Sequence, residues 1–115
     1  MLLEFCLTSQ KILLITPPGT LEESYGRLSG AAGELPMLGL AYIAAALRDQ
    51  GNTVKIIDYE VNRWPMAKVC KDIEGFAPDI VGMTAYITNM RRCAEVAKIT
   101  KTTDPKISVI LGGPQ

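Results

Sequence analysis

Residues 11–19 read KILLITPPG, residues 36–51 read PMLGLAYIAAALRDQG and residues 53–58 read TVKIID, and this succession decides the fold. Lys11 to Thr16 is a short apolar run closed by Pro17-Pro18-Gly19, which has the length and punctuation of a strand buried on both faces. Pro36 suits the first turn of a helix, because the N–H it lacks has no intrahelical partner there. Met37 to Gln50 is rich in Ala and Leu, and Gly51 is placed to close that helix in the left-handed conformation. The helix is apolar around most of its circumference, which predicts packing on more than one side, against a sheet and beneath a second layer. Thr53 to Asp58 is the second strand.

Outward from this core the pattern repeats. Pro65 opens a second helix whose Met66, Val69, Cys70, Ile73 and Phe76 keep a 3-and-4 spacing, making one apolar face and placing Cys70 in the core, not in the role of a nucleophile. Pro78 breaks the chain before Asp79 to Thr84, a third strand. Thr88 is a candidate cap for a helix to about Thr102, with Met90, Cys93, Ala94, Ala97 and the stem of Lys101 facing inward. Pro105 stops it, and Lys106 to Leu111 is a fourth strand running into Gly112-Gly113-Pro114-Gln115. The order β-α-β-α-β-α-β argues an α/β fold with a doubly wound parallel sheet of right-handed crossovers, three layers deep.

In such a sheet ligands bind outside the carboxyl ends of the strands, near the point where strand order reverses. Three segments meet that edge: Thr16 to Thr20, Thr84-Ala85-Tyr86-Ile87-Thr88, and Gly112 to Gln115. Thr84 and Thr88 offer hydroxyls for an amide, ring nitrogen or phosphate, and Gly112-Gly113 lets a bulky ligand approach the backbone. The plain alternative is a β-branched strand end and an ordinary turn. The stretch from Pro17 to Leu35, with its Gly, Ser and Glu, is longer than a structureless loop usually is, and loops of that kind are functional or disordered.

Composition narrows the classes. A chain of 115 residues makes one small domain or a piece of a larger one, and buries roughly 65% of its unfolded surface, enough for one core. Lys+Arg and Asp+Glu number 12 each and are scattered, so neither a phosphate backbone nor a membrane surface finds a cationic face. Cys6, Cys70 and Cys93 form no CxxC pair and follow no secretory signal, as expected of reduced thiols in a cytoplasmic protein. The longest apolar stretch, Met37 to Leu47, is too short to span a bilayer. No histidine is present, which excludes a Ser-His-Asp or Cys-His catalytic arrangement and any imidazole ligand from this chain. There is no GxGxxG or GxxxxGK[ST], and Pro17-Pro18 removes N–H groups that a phosphate cradle or a flavin phosphate loop needs. Asp58 ends the second strand where a ribose-binding acid would stand, but an Asp there is more often a turn residue. A flavin or nucleotide binder therefore stays a weaker reading beside a cofactor-free packing or dimerisation domain. The fourth strand runs straight into Gly-Gly without a covering helix, so a longer parent protein is expected, and the open edge favours self-association.

Taken together, KILLITPPG, ELPMLGLAYIAAALRDQGNTVKIID, APDIVGMTAYIT and ILGGPQ resemble the N-terminal cobalamin-binding domain of radical S-adenosylmethionine enzymes over residues 11–115, with residues 1–10 an unmatched extension. The resemblance implies a Rossmann-like, flavodoxin-like domain that holds cobalamin at the carboxyl edge. It makes Thr84 the hydroxyl that contacts the nucleotide tail, with Ala85, Tyr86 and Thr88 beside it. Gly112 and Gly113 become the pair that lets the tail pass, and Pro17, Pro18 and Gly19 the turn beneath the corrin. The cobalt-ligating DxHxxG of mutase-type relatives is absent, implying base-off cobalamin whose lower face is left to water or to side chains such as Tyr86. Gln115 stands where relatives often carry His. CxxxCxxC is also absent, so S-adenosylmethionine and a 4Fe-4S cluster would belong to a missing radical enzyme domain, and this chain alone would catalyse nothing.

Overall fold

The computed structural model describes residues 9–19, 38–85 and 89–112. Strands β1 (Lys11–Thr16), β2 (Thr53–Asp58), β3 (Ile80–Thr84) and β4 (Ser108–Gly112) alternate with helices α1 (Leu38–Asp49), α2 (Met66–Phe76) and α3 (Met90–Thr103). All pairings are parallel and the strand order is β2-β1-β3-β4, so the chain steps one way from β1 to β2 and the other way to β3 and β4. This is the doubly wound order expected, with its reversal between β1 and β3.

Alternation along the strands divides the core into two. Ile12, Leu14 and Val54 pack with Leu40 and Ala44 of α1 on one face. Leu13, Ile15, Ile57, Val81 and Met83 pack on the other face with residues of α2 and α3, including Val69, Ile73, Cys93 and Val96. Burial on both faces explains why β1 is an unbroken apolar run instead of an alternating one. Within the sheet, where Gly82 of β3 pairs with Leu14 of β1, a Cβ on Gly82 would stand 2.9 Å from Leu14 Cδ2, so the Leu14 side chain occupies the space beside the glycine. At the amino edge, the Lys11 N–H donates to Asp79 Oδ2 at 2.8 Å and the Asp79 N–H to Lys11 O at 2.7 Å, clasping β1 to the start of β3.

The helix boundaries follow local chemistry. Gly51 closes α1 at φ 91°, as its position predicts, and Pro65 occupies the cap of α2. The cap of α3 is Asn89; the expected cap Thr88 lies outside the described residues, as do Pro36 and Met37.

Three expectations need correction. Helix α1 is covered on one side only: Leu40 and Ala44 meet the sheet, while Tyr42 is 77% exposed. Its apolar circumference exceeds what the described layers cover. The buried face of α3 is Cys93, Val96 and Thr100, with Ala94 and Met90 turned out; the hydroxyl of Thr100 is satisfied within the helix by Val96 O at 2.8 Å, which lets a polar residue sit in the core. Cys70 is half-buried at the seam between α2 and α3, its Sγ 3.4 Å from Glu74 Oε1 and 3.5 Å from Thr103 Oγ1, so it borders the core without filling it.

Candidate functional site

The strand ends form one row. Thr16 pairs with Asp58, Thr84 pairs with Gly112, and the pairing of Ile15 with Met83 brings Thr16 beside Thr84. By alternation these four positions share the face that carries α1, because the residues before them, Ile15, Ile57 and Met83, belong to the opposite core. The reversal of strand order falls in the middle of this row, between Thr16 and Thr84.

Each member has a distinct local role. Asp58 is committed to its turn: its Oδ1 accepts the Val61 N–H at 2.9 Å and its carbonyl accepts Asn62 Nδ2 at 2.8 Å, so it is not a free ribose-binding acid. Thr16 accepts the Tyr59 N–H on its carbonyl at 3.1 Å, but its hydroxyl, in a residue only 5% exposed, has no hydrogen-bond partner among the described residues. Stranding a buried hydroxyl costs about 1–3 kcal/mol, so the position is held against a local penalty. Thr84 is half-buried, and its carbonyl accepts Asn89 Nδ2 at 3.1 Å and the Cys93 thiol at 3.8 Å, which locks the first turn of α3 onto the end of β3. Burial pushes the Cys93 thiol up, away from the reactive thiolate, in keeping with a packing role. The buried Ala85 donates its N–H to Gly112 O and so draws the ends of β3 and β4 together. Gly112 itself is exposed, and a Cβ built on it would meet nothing within 4 Å.

Of the residues expected at the site, Pro17, Pro18 and Gly19 follow Thr16 directly, the two prolines buried and the glycine half-buried, and Thr84, Ala85 and Gly112 stand at the same edge. Tyr86, Thr88 and Gly113 lie outside the described residues. Sequence reasoning placed Thr16 at this edge but gave its hydroxyl no binding role. Its signal was the single hydroxyl closing a strand otherwise apolar from Ile12 to Ile15. Among the described residues no group of three or more Cys, Asp or Glu is placed to hold a metal ion, and no helix is long and apolar enough to cross a membrane.

A parallel α/β domain with an open, hydroxyl-bearing row at its reversal point is the architecture of a ligand-holding module. Residues 27–115 match the B12 binding domain model, and the chain belongs to that family. It is 41% identical over 104 residues to an uncharacterized methyltransferase of Pyrococcus horikoshii, covering 90% of this chain and 22% of that protein. It is 34% identical over 83 residues to the anaerobic magnesium-protoporphyrin IX monomethyl ester cyclase of Rubrivivax gelatinosus, covering 71% of this chain and 15% of that protein. The chain thus spans under a quarter of the length of either relative. No solved structure matches it. The resemblance drawn from the sequence to a B12-binding domain is borne out, as is the parallel α/β fold.

The residues present fit such a group. The unpartnered Thr16 hydroxyl would supply a buried polar contact, and the open space at Gly112 would let a ligand reach the backbone.

Proposed function

We propose that this chain is the cobalamin-holding module of a larger radical S-adenosylmethionine enzyme, binding cobalamin base-off at the carboxyl edge of its sheet. The observation that carries this reading is the row at the reversal point, in a chain of the B12 binding domain family, with a buried hydroxyl unpartnered and a strand end open. Thr84 contacts the nucleotide tail, with Ala85, Tyr86 and Thr88 next to it in the sequence, Gly112 and Gly113 give the tail passage, and Pro17, Pro18 and Gly19 form the turn beneath the corrin. Because the chain has no histidine, it offers cobalt no imidazole, and the lower face is left to water or to Tyr86. When bound, cobalamin would supply the cobalt-centred chemistry of the parent reaction, while this chain's residues bind and orient it.

The parent reaction is methyl transfer, in line with the name of the Pyrococcus relative, or a rearrangement or tetrapyrrole-type cyclisation, in line with the Rubrivivax cyclase. S-adenosylmethionine and the 4Fe-4S cluster belong to a separate radical enzyme domain, since CxxxCxxC is absent here, and the module by itself catalyses nothing. Its free thiols suit a cytoplasmic setting.

The test is to mix the purified chain with hydroxocobalamin, remove free ligand by gel filtration and record the visible spectrum of the protein peak. Co-elution with a base-off spectrum is expected. Gly112→Val should abolish co-elution with an unchanged circular-dichroism spectrum, because the free chain has room for the added side chain. A folded chain that carries no cobalamin through the column would overturn the proposal.

A second reading, a cofactor-free packing surface, draws on the exposed Tyr42 and Ile43 of α1 and Ile110 and Leu111 of β4. Its signature on the same column is a cobalamin-free dimer.

A further inference from the structure

The unpartnered Thr16 hydroxyl needs an explanation of its own. A buried hydroxyl that bonds nothing is rare, and when one persists a ligand, an ion or an unseen water is the usual reason. Thr100, the other buried threonine, shows the contrast, since its hydroxyl bonds Val96 O at 2.8 Å inside α3. Thr16 sits in a strand, where its own backbone groups are used by β2 and by the Tyr59 N–H, so its hydroxyl has no local acceptor of that kind. Its place beside Thr84 at the reversal of strand order makes the two residues neighbours across β1 and β3, at positions that share a face of the sheet.

We infer that the Thr16 hydroxyl is a binding contact for the nucleotide tail of cobalamin, acting with Thr84 as a pair of hydroxyls at the strand reversal. This rests on the cobalamin reading above and assigns to its buried hydroxyl the part of the ligand that it meets. A hydroxyl can donate to a phosphate oxygen or a ring nitrogen, and both acceptors occur in the tail. Thr84, assigned to the tail in that reading, is the neighbour of Thr16 in the row, which favours the tail over the corrin ring.

The inference is tested by comparing wild type, Thr16→Val and Thr16→Ser for binding of cobalamin and of cobinamide, which lacks the nucleotide, and for thermal stability without ligand. Valine keeps the shape and removes the hydroxyl, so ligand-free stability should hold or rise, since no protein bond is lost. Cobalamin affinity should fall about tenfold, the equivalent of one well-made hydrogen bond. Cobinamide affinity should be unchanged, and Thr16→Ser should retain most of the cobalamin affinity. Equal cobalamin binding by wild type and Thr16→Val, or equal losses for cobalamin and cobinamide, overturns the inference while leaving the cobalamin reading intact. A drop in ligand-free stability restored by serine would assign the hydroxyl to the fold and overturn it too. Failure of the wild type to bind cobalamin removes both readings together.

Discussion

Tyr59, the residue after β2, is fully buried and gives its hydroxyl to Asp72 Oδ2 of α2 at 2.6 Å. Lys68 closes the cluster with its Nζ 3.0 Å from both carboxylate oxygens and 4.3 Å from the centre of the Trp64 ring, and Trp64 meets Tyr59 edge to face. Burial works to raise the Asp72 carboxyl, but the Tyr59 hydroxyl and the Lys68 ammonium outweigh it and hold the group below its usual range. Burial, together with the Asp72 carboxylate, pushes the Tyr59 phenol up, so it remains a donor throughout. Because Asp72 is depressed in the folded state, its contribution to stability is complete above the unfolded value of about 3.9 and is lost as the pH falls through the lower folded value. Tyr59→Phe is expected to cost about 1.5–3 kcal/mol at pH 6, as for a bond to a charged group. Urea midpoints at pH 6 and pH 3 check this, and the gap between wild type and variant should narrow at the lower pH. Single side chains were only partly legible beforehand. Asp58 as a turn residue followed from its place at the end of a strand, whereas nothing in the sequence set Thr16 apart from the other residues of its edge, because an unpartnered hydroxyl is a property of the space around it.

At the scale of elements, helix ends are where local sequence and conformation disagree most. Helix α2 ends at Ala77, which adopts the left-handed conformation at φ 51° with its N–H donating to Ile73 O at 2.8 Å. A Cβ is disfavoured there, and glycine is the usual occupant of such a position. Ala77→Gly is therefore expected to stabilise the fold by about 0.5–1 kcal/mol despite the greater freedom it gives the unfolded chain, read as a raised urea midpoint with an unchanged slope. The strands and helices themselves were readable from run length, 3-and-4 spacing and the prolines at 65, 78 and 105. Which flank of α3 faces inward was not. Its Ala94 and Met90 are as apolar as Val96, and the crossing with α2 and the sheet, not hydropathy, selects Cys93, Val96 and Thr100.

For the whole molecule, a ligand that binds only the folded state adds stability by mass action. Cobalamin at a hundred times its dissociation constant should add about 2.7 kcal/mol, a rise in Tm on the order of 10 °C for a domain of this size. A melting scan with and without cobalamin measures it, and Gly112→Val should flatten the response. The sheet order was accessible in class but not in detail from sequence, since βαβ repetition implies a parallel sheet while the side on which each new strand lands depends on which face the crossover helix covers. That order bears on how the chain is made. β1 precedes β2 and β3 in the chain yet lies between them in the sheet, and its clasp to Asp79 joins residues 68 apart in sequence. Loops of that span close late, so this apolar strand waits without its second neighbour until β3 has been synthesised. Productive folding should thus be limited by the arrival of β3, and that waiting interval is when a chaperone has most to protect.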